Sequence, residues 1–420
     1  MFTMTAYNNP YLRVGQATMQ AVLSLRLDAT VGLAPAPLAL AVALDRSGSM
    51  EGPKMRAARD GAIKVVQALD ADMAFMVVAF NDNARIIFGP ALGSDENKRR
   101  AIAALQTVNA ANGTRMSTAL NMIVDKFGQE QSRATKILFL TDGKNEGEQR
   151  FNLDRAVDRC TAANISINAW GVGTDWDAGE LLHMADATHG SADIIPTPGQ
   201  VAATFTHAFS EMRKTAITNA RLFLWSPAGV KINSIAQVYP NIVPLGLEPD
   251  LANPRQQVVA LGSFAAGDQR DYLLDLETAV YPPGQQFILV RPTIKYFATE
   301  ARELEEKGER SGYVFVQWTE NAALAAQIEE HIAHYTNQEE LSRNIKEGQQ
   351  ALEAGDAERA TLLLGRALEI SEHTRNEKVT QLLSNFVLRE ANGSVRLNRQ
   401  ADAVARKTLA INVGRTSKLK

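Results

Sequence analysis

LALAVALDRSGSM, residues 38–50, joins an unbroken apolar run to an acidic, hydroxyl-rich turn. The first seven residues carry neither a charge nor an alternation of polarity, which is the pattern of a strand buried on both faces in the middle of a parallel sheet. ATKILFLTDG, residues 134–143, repeats the arrangement, a mostly apolar run that ends in Asp142 and Gly143. Around these two lie MAFMVVAF (73–80), ARIIFG (84–89), ISINAWGVG (165–173) and ADIIP (192–196), separated by amphipathic helical patterns. From 37 to 214 the alternation predicts an α/β, Rossmann-like doubly wound sheet. The Asn81-Asp82-Asn83 link leaves no room for a crossover helix, so the strand at 84–89 is expected to run antiparallel at a sheet edge.

In such a sheet, ligands lie beyond the carboxyl ends of the strands where strand order reverses. If 38–45 and 134–142 are the first and fourth strands they are neighbours there, and Asp45, Ser47, Ser49 and Asp142 converge. Asn112-Gly113-Thr114 opens the helical stretch 114–127 and brings the Thr114 hydroxyl to the same crevice. The set is hard oxygen with no His or Cys, which suits Mg²⁺ or Mn²⁺ and argues against zinc. A largely neutral donor set leaves such an ion electrophilic, with a position open to a carboxylate from a partner. The site is expected to face solvent and to add little to the core. Taken singly, each motif has a plainer reading, with Asp45 and Ser47 capping the next helix and Asp142 beginning a turn. Their order and their place on the strand ends favour the metal.

D-x-S-x-S at 45–49, a threonine at 114 and T-D-G at 141–143 together resemble the von Willebrand factor A (VWA) domain with its metal-ion-dependent adhesion site, over roughly 37–214. The resemblance implies Asp45, Ser47 and Ser49 from the first loop, Thr114 from the second and Asp142 from the third as metal ligands, with Mg²⁺ as the ion and Mn²⁺ an alternative. It implies a non-enzymatic module that binds an acidic side chain of a protein partner. In integrin-type relatives Thr114 and Asp142 would alternate as direct ligands. The flanks resemble bacterial cytoplasmic proteins in which such a domain sits in a β-sandwich with a helical tail, in the company of kinase and phosphatase signalling components. A second function class is a regulatory VWA subunit of a chelatase-like or AAA-type ATPase machine.

Residues 16–28 (QATMQAVLSLRLD) read as a strand with no partner in the α/β order. Alternating segments from 217 to 319, among them ARLFLW, VKINSI, QVVALGSF, RDYLLDLE, QQFILVRP and GYVFVQW, predict an antiparallel sandwich that supplies one. The expected division is 1–36 as N-terminal strands of the sandwich, 37–214 as an inserted α/β domain, 215–319 as the sandwich and 320–420 as a helical region. Leu324, Ile328, Ile332 and Tyr335, then Leu341, Ile345, Gly348 and Leu352, keep helical spacing. LEAGDAERATLLLGRALEI (352–370) resembles half of a tetratricopeptide repeat, but a single unit favours a plain helical hairpin.

Several other signals are weak. Phosphorylation of Asp45 would ordinarily need a second acid where Ser47 stands, and no G-x-x-x-x-G-K-[ST] string occurs. Asp177 and Glu180 read as a capping box. Trp176 falls on the rim of the proposed site, either packed on a loop or free for a partner. His183 and His189 specify no zinc site, and Cys160 reads as structural. Arg396 to Lys420 carries seven Lys plus Arg and one Asp, read as a solvated face and frayed tail or as contact for an acidic partner.

The whole chain has 420 residues, 45% hydrophobic and 22% charged, enough for two or three packed units. With 44 Lys plus Arg against 47 Asp plus Glu, the charge of −3 gives no general case for nucleic acid or membrane partners. The one cysteine excludes an internal disulfide framework. The apolar run from Leu33 to Leu44 is too short to span a bilayer, and the N-terminus shows no signal-peptide pattern, so a cytoplasmic protein is expected.

Overall fold

The computed structural model describes residues 1–29, 36–111, 113–129, 133–299, 302–390, 395–398 and 402–419. Three strands open the chain, β1 (Phe2–Tyr7), β2 (Tyr11–Arg13) and β3 (Thr18–Leu27). A six-stranded α/β unit follows. Its strands are β4 (Leu38–Asp45), β5 (Ala74–Phe80), β6 (Ala84–Leu92), β7 (Ala134–Thr141), β8 (Ile165–Val172) and β9 (Ser191–Ile195), in the spatial order β6-β5-β4-β7-β8-β9. Only β6 is antiparallel, paired with β5 at the edge, as the short link requires. The helices are α1 (Pro53–Ala68), α2 (Asp95–Gln106), α3 (Met116–Phe127), α4 (Arg150–Ala162), α5 (Ala178–Ala187) and α6 (Val201–Met212).

The missing alternation in 38–44 has a direct cause: both faces of β4 are covered. Leu38, Leu40, Val42 and Leu44 enter one core with α1 and α6, while Ala39, Ala41 and Ala43 enter the other with α3 and α4. A fully buried Leu or Val side chain contributes about 1.5–3 kcal/mol, so the strand that carries Asp45 is firmly held. Strand order reverses between β4 and β7, and Asp45 and Asp142 stand at that point.

The chain leaves α6 directly into β10 (Thr215–Trp225), followed by β11 (Val230–Tyr239), β12 (Val243–Leu245), β13 (Glu248–Pro249), β14 (Gln256–Ala265), β15 (Gln269–Thr278), β16 (Gln286–Thr299), β17 (Arg302–Lys307) and β18 (Val314–Thr319). Two sheets form, β1-β3-β15-β11-β12 and β13-β14-β10-β16-β18-β2, with β17 alongside β16. Leu23, Leu25, Leu274 and Ile235 of the first share one core with Leu222, Leu224, Ile294 and Trp318 of the second. β3 lies between β1 and β15, antiparallel to both, from Arg26↔Gln269 to Thr18↔Glu277. Where the α/β unit begins and ends, the Ala36 amide donates to the Thr215 carbonyl at 2.8 Å. A fragment of residues 217–319 would therefore expose the edge of β15 and is expected to aggregate, whereas 37–214 should be monomeric and unfold cooperatively. Size-exclusion chromatography with circular dichroism tests this; a monomeric, cooperatively folded 217–319 would contradict it.

The C-terminal region holds α7 (Ala322–Ala325), α8 (Glu330–Glu353), α9 (Ala357–His373), α10 (Glu377–Leu383), a small hairpin of β19 (Val387–Arg389) and β20 (Val395–Leu397), and α11 (Ala403–Ile411). α8 and α9 form a helical hairpin, closed where Gly348 meets Leu364: a Cβ at Gly348 would stand 2.7 Å from that side chain. Ile328, expected on the helical stripe, is 79% exposed because α8 begins only at Glu330.

Among its described residues the basic tail is anchored rather than frayed. Leu409 packs in the helical core and Ile411 in the α/β core. Arg415 pairs with Asp193 at 2.9 Å, the Thr416 amide donates to the Pro240 carbonyl, and the Ser417 hydroxyl donates to the Thr374 carbonyl. This segment ties together the α/β unit, the sandwich and the helical hairpin. No helix among the described residues is long and apolar enough to cross a membrane.

Candidate metal centre

The first loop leaves β4 at Asp45 and turns through Gly48–Met50, with the buried Met50 side chain as its anchor. Gly52, at φ 81° and ψ −124°, has a backbone only glycine adopts readily, and Pro53 then starts α1. The Asp45 carboxylate is fully buried, and each of its oxygens accepts a hydrogen bond. One takes the Ser47 amide at 2.7 Å and the other the Thr141 hydroxyl at 2.6 Å. Burial, with a smaller contribution from the nearby Asp142 charge, pushes the Asp45 carboxyl up to about 6 against the pull of those hydrogen bonds.

Asp142 is equally buried. Its Oδ1 accepts from the Ser49 hydroxyl at 2.7 Å and, more distantly, from Ser47 at 3.5 Å; the two serine hydroxyls are 3.1 Å apart. Its Oδ2 receives the Lys54 ammonium at 2.5 Å.

Thr114 arrives from the second loop, held by the Ala111 amide on the Arg46 carbonyl at 2.6 Å and the Arg115 amide on the Asn81 carbonyl at 2.8 Å. Asn112 lies outside the described residues. A Cβ placed on Gly143 would lie 3.7 Å from the Ser49 hydroxyl and 3.8 Å from the Thr114 hydroxyl, so the three loops meet there. α3 starts at Met116, two residues later than expected, and its first turn is capped from a distance: Asn145 accepts from the Met116 amide and Glu148 from the Ser117 amide, both at 3.0 Å.

All five expected residues, Asp45, Ser47, Ser49, Thr114 and Asp142, are thus brought together. The site opens to solvent through Ser49, which is exposed, while the two carboxylates beneath it are fully buried and Ser47 and Thr114 nearly so. Sequence reasoning missed Thr141, Lys54, Asn145 and Glu148; only Thr141, inside T-D-G, carried a local signal. Two buried carboxylates, one of them paired with the Lys54 ammonium, and three hydroxyls suit a hard divalent cation. Among the described residues no three His, Cys, Asp or Glu side chains gather as a metal cluster, so the donors here are two carboxylates supplemented by hydroxyls.

The remaining candidates are structural. Trp176 is fully buried: its indole N–H donates to the Gly173 carbonyl, its ring lies under Lys407, and Lys407 also donates to its carbonyl. Asp177 caps α5 through the Glu180 amide, but the Glu180 carboxylate accepts from the Asn145 amide rather than completing a capping box. His183 pairs with Asp154 at 3.1 Å. Burial lowers His189 to about 4 and raises the Cys160 thiol to about 12, so neither is charged at neutral pH.

Residues 39–204 match the family profile of the von Willebrand factor type A domain. The chain is 29% identical over 264 residues to an uncharacterized protein of Synechocystis sp., with 60% of each covered. It is 30% identical over 156 residues to human inter-alpha-trypsin inhibitor heavy chain H4, over 34% of this chain and 17% of that protein. The matched stretches therefore span less than two thirds of these curated relatives. A solved structure described as von Willebrand factor type A from Catenulispora acidiphila is 26% identical, covers 100% of this chain and 97% of its own, and superposes with a TM-score of 0.91. The ArnB paralog VWA2 from Sulfolobus acidocaldarius shares the fold at 14% identity, with 98% and 97% covered and a TM-score of 0.65.

Proposed function

We propose, from the premise that residues 39–204 form a von Willebrand factor A domain, that this chain is a non-enzymatic, metal-dependent protein-binding module. In this reading Asp45, Ser47, Ser49, Thr114 and Asp142 hold one Mg²⁺, or Mn²⁺, and the ion receives a carboxylate from a protein partner. The observation that carries it is the convergence of two fully buried carboxylates and three hydroxyls from three separate loops.

Acid–base or nucleophilic chemistry is disfavoured by the same geometry. Both Asp45 oxygens are occupied by the Ser47 amide and the Thr141 hydroxyl, both Asp142 oxygens by Ser49 and Lys54, and no serine here faces a free base. The sandwich and helical region would orient the module, with domain limits near 37 and 214. Signalling components of the kinase and phosphatase kind, or a chelatase-like or AAA-type ATPase machine, are the assemblies in which it would act. The test is co-purification with the full chain from native extract in Mg²⁺ and in EDTA. Partners held only in Mg²⁺, and lost with Asp45→Asn, are expected; a partner set indifferent to both changes would refute a metal-borne contact.

A further inference from the structure

Lys54 stands where local electrostatics disfavours it. It is the second residue of α1, at the positive end of the helix dipole, and no acidic residue lies in that first turn to offset it. Its compensation comes from another loop. The Lys54 side chain is 25% exposed, and its ammonium sits 2.5 Å from Oδ2 of Asp142, which is fully buried, while Oδ1 is taken by Ser49. Among the described residues, Lys54 forms the one ion pair with either carboxylate of the site.

We propose that Lys54 is a built-in competitor for the divalent cation, holding Asp142 on the protein's own ammonium and thereby setting both cation affinity and ligand preference. This rests on the metal reading of the site. An ammonium and a divalent cation seek the same lone pairs, and the ion must reach Asp142 against a partner that is covalently tethered and always present. The charge count gives the second consequence. Asp45, Asp142 and Lys54 sum to −1, so a bound divalent ion leaves +1, whereas the two carboxylates alone would neutralise it. The surplus charge is only partly screened in this mostly buried setting and favours an acidic ligand over water or a neutral side chain.

The test uses the full chain and Mn²⁺ alone as the probe, followed by calorimetry and by the electron paramagnetic resonance of the free ion. Lys54→Met is expected to bind Mn²⁺ about tenfold tighter than wild type, on the scale of one partly exposed ion pair, and Lys54→Arg to stay within about twofold. Measured within an Asp142→Asn background, Lys54→Met should give no gain over Asp142→Asn alone, whereas a gain that persisted there would assign the effect to general charge rather than to the Asp142 pair; Lys54→Gln repeats the measurement should the methionine variant fold poorly. Wild-type binding that is lost in Asp45→Asn but unchanged or weakened in Lys54→Met and Lys54→Gln would overturn the competitor role while leaving the metal site standing. No Mn²⁺ binding by wild type or any Lys54 variant would overturn the metal reading and this proposal together.

Discussion

Replacing Asp45 with asparagine is expected to weaken Mg²⁺ binding by more than about a hundredfold, because it removes one of only two carboxylates from a site whose other donors are neutral hydroxyls. The wild-type protein should show the matching pH dependence. Only the carboxylate form of Asp45 binds the ion, and burial raises its pKa to about 6. Affinity should therefore be full above about pH 7 and fall by about tenfold per unit below about pH 6. Stability has the opposite sign in the metal-free protein. The folded pKa of about 6 lies above the ordinary 3.8, so the folded state binds the proton more strongly. Stability from this group is full below about pH 4 and is lost as pH rises to about 6, a difference of about 3 kcal/mol. Asparagine escapes that penalty but turns an amide donor toward the Ser47 or Thr141 donor, at a cost of about 1–3 kcal/mol. The two effects offset, and in EDTA at pH 7 the variant should be about as stable as wild type. Titration calorimetry at pH 7.5 and 5.0 decides: unchanged affinity in the variant, or none lost at the lower pH, would remove Asp45 from the site.

What could be read in the sequence was what is local. The apolar run 38–44 carries its own explanation, since each of its side chains meets a core on one face or the other. Strand ends and hydroxyl spacing likewise placed Asp45, Ser47, Ser49 and Asp142 on adjoining loops. Lys54 could not be found this way, because its role depends on a carboxylate that the β4–β7 pairing brings from another loop. Asn145 and Glu148 cap α3 from outside that helix, where no rule of spacing reaches. β6, read as 84–89, continues to Leu92 with a shift in register against β5. There Gly89 has φ 87° and a side chain on it would meet the Phe75 carbonyl at 2.5 Å, so both backbone and contact require glycine. β17, written R-E-L-E-E-K, has no apolar pattern because it is a largely exposed strand held by pairing with β16.

The basic C-terminal segment shows the same limit most sharply, and leads to the second large effect. Charge count favoured a solvated tail, yet Leu409 and Ile411 are buried in two different cores on either side of α11. Ile411→Ala and Leu409→Ala should each cost about 2–4 kcal/mol, because each opens a cavity in a packed interior. Ile411→Ala should lower the stability of the α/β unit, whose sheet lies more than two hundred residues earlier in the chain. Deleting 403–420 should do more. It removes the Arg415 pair with Asp193, the Thr416 bond to Pro240 and the Ser417 bonds to Thr374 and Gln338, which join three packed regions. With those ties gone, the hairpin of α8 and α9 keeps its own core, apart from Leu409, and its Tyr335 bond to Asp271, but loses its bridge to the α/β unit. Differential scanning calorimetry of the full chain should then change from one cooperative transition to two, the helical region melting first. A single transition at the wild-type temperature after the deletion would show that the tail closes over regions already held together without it. A split transition, with metal binding retained, would instead separate the force that assembles the molecule from the chemistry at Asp45 and Asp142.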